Sequence, residues 1–334
     1  MPLQKQNQQQ RAKRLKTSSN NIRIDYYTNG KKKYQGDFSE GKWHGKGILY
    51  YDNANNTIRF EGDFSEGNII GKGILYNQNG NKKYEGYLYR GLWHGEGIEY
   101  NQNGNKKYEG YLYRGLWHGE GIEYYANGNK KYQGDIYKGK PSGKGIYYYD
   151  NANNENGHKQ YEGYLYEGKP HGKGIYYYDN ANNGHKQYEG DWSEGNRHGK
   201  GIEYYENGNK KYEGDIYYGK PHGKGILYYN NEKKRYEGYF SEGKPHVKGI
   251  SYYDNAHNTK MYEGDWYENG NRHGKGTQYH ENGKVKYIGN WENGKPNGMG
   301  TLFNENGRKV LKGFFNGSFR QLQRPRPRKQ SDGN

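Results

Sequence analysis

The 334-residue chain has no cysteine, only 3 methionines and 8 prolines, and an apolar fraction of 29%. Without cysteine there is no disulfide framework, no thiol nucleophile and no thiolate metal site. No apolar run approaches the roughly 18 residues of a membrane-spanning helix. The opening stretch, MPLQKQNQQQRAKRLK, carries charge but no apolar core of a secretory signal, so the expected compartment is the cytoplasm. Leu, Ile and Val are too scarce for a two-layer globule of this length. What is abundant is glycine, 55 residues, and tyrosine, 42. Disordered chains are poor in aromatics and this one is 17% aromatic, so it folds, with rings supplying the buried area.

The organising stretch is Asn77–Tyr124. Asn77–Tyr100 reads NQNGNKKYEGYLYRGLWHGEGIEY, and Asn101–Tyr124 repeats it letter for letter. Looser copies anchored on Tyr-x-Gly begin at Tyr34, Phe60, Tyr84, Tyr108, Tyr132, Tyr161, Tyr188, Tyr212, Tyr236, Tyr262 and Tyr287. A frayed copy starts at Leu311, and half a copy, Tyr26–Lys33, precedes the first. Such a period means a repeat architecture. Extra residues gather in Asp52–Thr57, Asp150–His158, Asp179–His185 and Asp254–Thr259, which therefore read as loops. Residues 25–317 form the array; 1–24 and 318–334 are basic tails expected to be disordered. Of the net charge of +16, residues 1–24 carry +6 and residues 318–334 carry +4, which leaves +6 for the whole array.

Within Tyr34–Tyr51, Tyr34, Gly36 and Phe38 alternate with Gln35 and Asp37, the period of a strand. A polar cluster around Gly41 predicts a turn and Gly45–Tyr51 a return strand. Asn-Gly pairs such as Asn79-Gly80 and Asn103-Gly104 predict the next turn, with both central residues at positive φ. No stretch has helical spacing, so the expected fold is all-β: an elongated, twisted, single-layer antiparallel meander of hairpins. Placing the turn after Gly41 sets Phe38 opposite Gly45, Gly36 opposite Gly47 and Asp37 opposite Lys46. On one face, rings then lie over strand glycines, which offsets the ~0.5–1 kcal/mol each glycine costs. On the other, Asp/Lys pairs recur as Asp63/Lys72, Asp135/Lys144, Asp191/Lys200 and Asp215/Lys224; they change together to Tyr87/Glu96 and Tyr111/Glu120, whereas Tyr164 and Tyr239 keep Lys173 and Lys248.

At Tyr188–Gly208, YEGDWSEGNRHGKGIEYYENG, the unit resembles the MORN (membrane occupation and recognition nexus) repeat, over roughly Tyr26–Phe319. The resemblance implies one hairpin per repeat in a trough-shaped sheet, and a scaffold at membranes or the cytoskeleton, including cilia. It also implies contacts to anionic phospholipids, peptide or helix capture in the trough, and a homodimer. Ile69-Ile70, Val247 and the longer Tyr267–Gly270 segment depart from the family pattern.

Candidate sites follow. Eight histidines recur at one position, from His44 to His273. Neighbouring copies are two strands, ~9–10 Å, apart. That is too far to share an ion at ~2 Å bonds, so a turn role is favoured over a metal ladder. Gly41–Gly47 lacks the spacing, the Ser/Thr and the helix of a phosphate loop, and no nucleophile-elbow or zinc-protease motif occurs. The reading is a protein without an enzymatic role or cofactor. The partner-binding residues expected along an aromatic trough are Trp43, Trp93 and Trp117 at the turns, with Tyr84, Tyr108, Tyr188, Trp192, Tyr262, Trp266 and Trp291 on first strands. Lys13, Arg14, Lys16, Arg324, Arg326, Arg328 and Lys329 are the expected anionic-lipid contacts. A protein-binding scaffold is the first reading and a peripheral phosphoinositide-binding module the second. Nucleic-acid binding is third, disfavoured because the array's acids nearly balance its bases.

Overall fold

The computed structural model describes residues 22–150, 157–179, 184–267 and 269–319. Every regular element among them is a β-strand, 24 in all. The chain divides into two compact units, residues 1–169 and 170–334. In the first, strands β1 (Arg23–Tyr26) to β12 (Lys159–Tyr166) pair antiparallel in chain order. In the second, β13 (Lys169–Tyr177) to β24 (Lys309–Asn316) do the same. The antiparallel meander expected from the repeat is what forms. The tail boundaries differ from expectation: Arg23 and Ile24 already belong to β1, and Phe319 packs its ring against Tyr287 and Trp291. The expected lipid contacts, Lys13, Arg14, Lys16, Arg324, Arg326, Arg328 and Lys329, lie outside the described residues, as do parts of the loops at 150–158 and 179–185.

Two turns alternate, and their chemistry is the reverse of the expectation. Between β2 (Lys32–Ser39) and β3 (Lys42–Tyr50) the loop is only Glu40-Gly41, with φ of 49° and 77° and Ser39 opposite Lys42. This is the two-residue turn with both centres left-handed, which suits the twist of the strands. Asn79-Gly80 instead closes a longer loop. Gly80 alone has positive φ, 87°, its N–H bonds to Asn77 O at 2.9 Å, and the Asn77 N–H bonds to Asn81 O at 2.8 Å.

The shorter turn moves the register near it. Phe38 faces Trp43 and Asp37 faces His44, yet Gly36 still faces Gly47, because Gly45 and Lys46 form a bulge with Gly45 at φ 59°. The expected Gly–Gly pairing is correct; Phe38 against Gly45 and Asp37 against Lys46 are not. Gly45 and Lys46 pair instead with Phe64 and Asp63 of β4 (Ile58–Ser65), in the next repeat. The bulge position is glycine in most copies, and Val247 occupies it at φ 59°, a conformation costly for a branched side chain.

One face is built from the anchor tyrosines. Tyr34, Tyr84, Tyr108, Tyr132, Tyr188, Tyr212, Tyr262 and Tyr287 have no exposed surface. Each ring lies over the glycine pair of its hairpin. A Cβ on Gly201 would sit 2.4 Å from the Tyr188 ring and hydroxyl, and one on Gly190 would sit 2.5 Å from Lys200 O and from the Tyr188 hydroxyl. The hydroxyl then donates to the carbonyl three residues on: Tyr84 to Tyr87 O at 2.9 Å, Tyr188 to Asp191 O at 2.9 Å, Tyr212 to Asp215 O at 2.7 Å. Burial pushes the Tyr84 and Tyr108 phenols up to about 12. It raises Tyr188, Tyr212 and Tyr262 in the same direction.

Two outcomes follow from ring-on-glycine packing. Gly201→Ala should lower unfolding free energy by roughly 1–3 kcal/mol, the usual cost of overpacking. Gly313→Ala, where a Cβ meets nothing within 4 Å because Leu311 replaces the anchor tyrosine, should be near neutral in the same denaturant titration. A phenol whose folded pKa exceeds its unfolded value of ~10 stabilises the fold fully below that pH and loses its contribution as pH rises through the folded pKa. Melting temperature should therefore hold to about pH 9.5 and fall between about pH 10 and 12, with tyrosinate absorbance of the buried set appearing as the sheet unfolds.

Candidate functional site

Every ring expected to line a binding trough lies on the face of the anchor tyrosines. Tyr84, Tyr108, Tyr188 and Tyr262 are fully buried. Trp43, Trp93 and Trp117 lie flat on Tyr34, Tyr84 and Tyr108, with centroids 4.8, 4.8 and 4.6 Å apart. Trp192, Trp266 and Trp291 stand edge-on to Tyr188, Tyr262 and Tyr287 at 5.2, 5.2 and 5.3 Å. Their indole N–H groups donate to Gly174 O, Gly249 O and Gly276 O. Where the first strand supplies the tryptophan, the turn position holds a cation or proline instead: Arg197 lies over Tyr188 at 5.0 Å and Arg272 over Tyr262 at 4.9 Å. Of the ten residues, Tyr84, Tyr108, Tyr188, Trp192, Tyr262 and Trp291 are buried, while Trp43, Trp93, Trp117 and Trp266 are half-buried against the anchor tyrosines. The turn tryptophans, expected to bind a partner, each lay one flat surface on their own hairpin's tyrosine.

The opposite face carries the open surface, because alternate residues of each strand point there. In the first unit a cavity of about 920 Å³ is lined by Glu61, Lys72, Ile74, Glu85, Tyr87, Glu96, Ile98, Glu109, Tyr111 and Glu120 over glycine backbone. In the second unit one of about 770 Å³ is lined by Glu213, Lys224, Ile226, Glu237, Tyr239, Lys248, Ile250, Glu263, Asp265 and Lys275. Tyr87, Tyr89, Tyr111, Tyr113, Tyr137, Tyr164 and Tyr239 are exposed on this face. His94 packs its ring 5.3 Å from Tyr113, and His118 packs 5.3 Å from Tyr137. Those histidines thus bridge repeats by ring contact. Among the described residues no three His, Cys, Asp or Glu side chains converge as a metal site.

Charge on the open face is organised in two rows. In the first, the glutamate after most anchors is held by lysine and tyrosine: Glu85 accepts from Lys82 at 2.6 Å and from Tyr100 at 3.2 Å, and Glu237 from Lys234 at 2.8 Å and Tyr252 at 3.2 Å. The lysine hydrogen bond, outweighing burial, holds both carboxyls below the usual range, while burial and the adjacent glutamate push the Tyr100 phenol up to about 12. In the second row, the residue after each bulge glycine faces the residue after the strand glycine of the next repeat. Lys46–Asp63, Lys173–Asp191 and Lys200–Asp215 are ion pairs at 2.6, 2.6 and 3.2 Å. Where the partner is tyrosine the ammonium sits over the ring: Lys72 on Tyr87 at 4.9 Å, Lys144 on Tyr164 and Lys224 on Tyr239 at 5.4 Å each.

This reassigns the Asp/Lys pairs of the sequence. The Asp and Lys of one hairpin do touch, but through the lysine backbone: Lys200 N–H donates to Asp191 Oδ2 at 3.0 Å, inside the bulge. Burial raises the Asp191 carboxyl, but the Lys173 ammonium and that N–H outweigh it and hold the group below its usual value. A double-mutant cycle should accordingly find coupling of about 0.2–1 kcal/mol between Asp191→Asn and Lys173→Met, and none beyond error between Asp191→Asn and Lys200→Met. Coupling confined to Lys200 would restore the within-hairpin register.

No curated protein matches the chain. Among solved structures, one titled TcdB2-TccC3-TEV aligns at 10% identity with a TM-score of 0.13, over 89% of this chain and 14% of that one. The Photorhabdus luminescens Tc holotoxin pore aligns at 9% identity and the same TM-score, over 89% of this chain and 16% of that one. This chain thus spans a small part of both, and at that TM-score the likenesses carry no argument. The MORN repeat family profile, in contrast, matches residues 34–55, 60–82, 84–106, 108–130, 132–153, 161–182, 188–210, 212–233, 236–256, 262–285 and 287–307. These segments begin at the eleven ring anchors that place the buried face, so the profile and the packing mark the same unit. The chain belongs to the MORN repeat family.

Proposed function

We propose that the chain is a non-enzymatic scaffold that holds an extended or helical segment of a protein partner on its open face. That partner is thereby tethered to a cytoskeletal structure, such as that of a cilium, or to a membrane-associated one. The observation that supports this reading most is the division of the two faces. One is closed by rings over glycine, whereas the other carries exposed tyrosines and two cavities of about 920 and 770 Å³. A run of apolar and aromatic surface on one side of a folded chain is what a binding surface looks like. The partner site thus moves from the tryptophan face to the face of Tyr87, Tyr111 and Tyr239. MORN repeats are in general modules for protein or membrane interaction, which agrees with the reading.

A second reading has its own observation. The basic runs RAKRLK and RPRPRK at the two ends of the sequence suit anionic phospholipid, each basic residue near such a surface contributing about 1 kcal/mol. No described helix is long and apolar enough to cross a membrane.

Photocrosslinking separates the two. A photoreactive residue at Tyr111 or Tyr239 should give discrete protein adducts in the native cell, resistant to about 0.5 M salt, at which the screening length is only a few ångströms. The same residue at Lys131, on the ring face, should give none. Adducts arising equally from Lys131, or binding that salt abolishes and that disappears with residues 1–21 and 320–334, would move the function to the electrostatic reading.

A further inference from the structure

The lysine of the second charge row is missing at three junctions: at the last, where Met299 faces Phe314, and at two consecutive ones where a carboxylate replaces it. At most junctions between repeats a lysine faces aspartate, asparagine or tyrosine. In the duplicated copies the lysine is replaced by Glu96, facing Tyr111, and by Glu120, facing Asp135. Tyr87, Tyr164 and Tyr239 each carry a lysine ammonium over the ring; Tyr111 sits in the same register with a carboxylate in the lysine's place. Neither Glu96 nor Glu120 has a hydrogen-bond or ion-pair partner among the described residues, and both are exposed. Glu120 moreover faces Asp135, a like-charge pair across strands that is unfavourable without a cation. Nearby Tyr87, Tyr89, Tyr113 and Tyr137 are exposed, and Glu96, Tyr111 and Glu120 line the larger cavity.

The molecule thus shows at three junctions what its open-face tyrosines accept, and at one it leaves the position for an outside group. We propose that the open face of the duplicated repeats binds a lysine- or arginine-bearing extended segment of a partner protein. One cation seats over Tyr111 beside Glu96 and a second sits between Glu120 and Asp135. The two positions are one repeat apart, two strand spacings or ~9–10 Å. A polyproline-II-type extended chain turns once in three residues and rises ~9 Å in doing so, so the segment presents basic residues three apart on one side. The same carboxylates repel anionic headgroups, which makes this surface a peptide site. The inference rests on the scaffold reading and names the chemistry of the partner.

The test uses the full chain and a fluorescent ten-residue Gly/Ser peptide with lysine at every third position, read by anisotropy at about 0.15 M salt. A peptide with glutamate in place of lysine is the comparison. The lysine peptide should bind and the glutamate peptide should not. Glu96→Lys with Glu120→Lys restores the lysine of neighbouring repeats, so the fold should hold by circular dichroism while affinity falls about tenfold or more. Tyr111→Leu should weaken binding about threefold. No binding by the lysine peptide, equal binding of both peptides, or affinity indifferent to the double substitution overturns the proposal. Deleting residues 1–21 should leave affinity unchanged; tightening beyond about fivefold would make the chain's own basic segment the occupant and overturn a partner in trans. Protein adducts at Tyr111 and Tyr239 alongside a failed peptide experiment would leave the scaffold reading intact and sink only this one.

Discussion

A phenol ring lying over two paired glycines is the contact on which the rest of the structure depends. A chain this poor in aliphatic residues cannot bury a second layer, so its hydrophobic contribution has to come from within one sheet. Glycine on both strands removes the side chains that would hold a ring off the backbone, and the ring then covers both strands. Its hydroxyl, carried to the far side of the glycine pair, meets a backbone carbonyl at 2.7–3.0 Å. One residue type thus supplies buried area and satisfies its own polar atom.

Closing one face in this way leaves the other to vary. The ring face tolerates little: a tryptophan stacks from the turn or stands edge-on from the first strand, and the opposing position adjusts to match. The open face is built of pairs between repeats, most of them ion pairs or lysine–tyrosine contacts, each worth little in stability. Substitution there costs the fold little, so charge and aromatic content can be tuned repeat by repeat. Because each repeat touches only its neighbours, such a change remains local. The two identical copies, with Glu96 and Glu120 for lysine and Tyr87 and Tyr111 for aspartate, are the place where this freedom has been used most.

Much of this was legible in the sequence, and the parts that were not share a cause. The repeat, the strands, the Gly36–Gly47 register and the rings over glycine all follow from period-2 spacing. The turn and bulge do not, because a two-residue loop plus two bulged residues and a longer loop without a bulge give the same Gly–Gly pairing. That ambiguity left Gly36 correctly placed while it moved Asp37 from Lys46 to His44, and it assigned the ion pairs to the wrong junction. The site was misread for a different reason. Large rings at Trp192 and Tyr84 look like a binding surface when there is a separate core, and here they are the core. The informative signal lay in the paired change of Tyr111 and Glu96, whose meaning depends on knowing that they face each other across a junction.

The division into a closed and an open face is tested most directly by nitrating the native protein with tetranitromethane and locating the modified tyrosines by peptide mass spectrometry. The account predicts early nitration at Tyr111, Tyr164 and Tyr239, with Tyr84, Tyr108, Tyr188 and Tyr212 unreacted until the protein unfolds. Comparable rates for the two sets in the folded protein would contradict it, and with it the assignment of the binding surface.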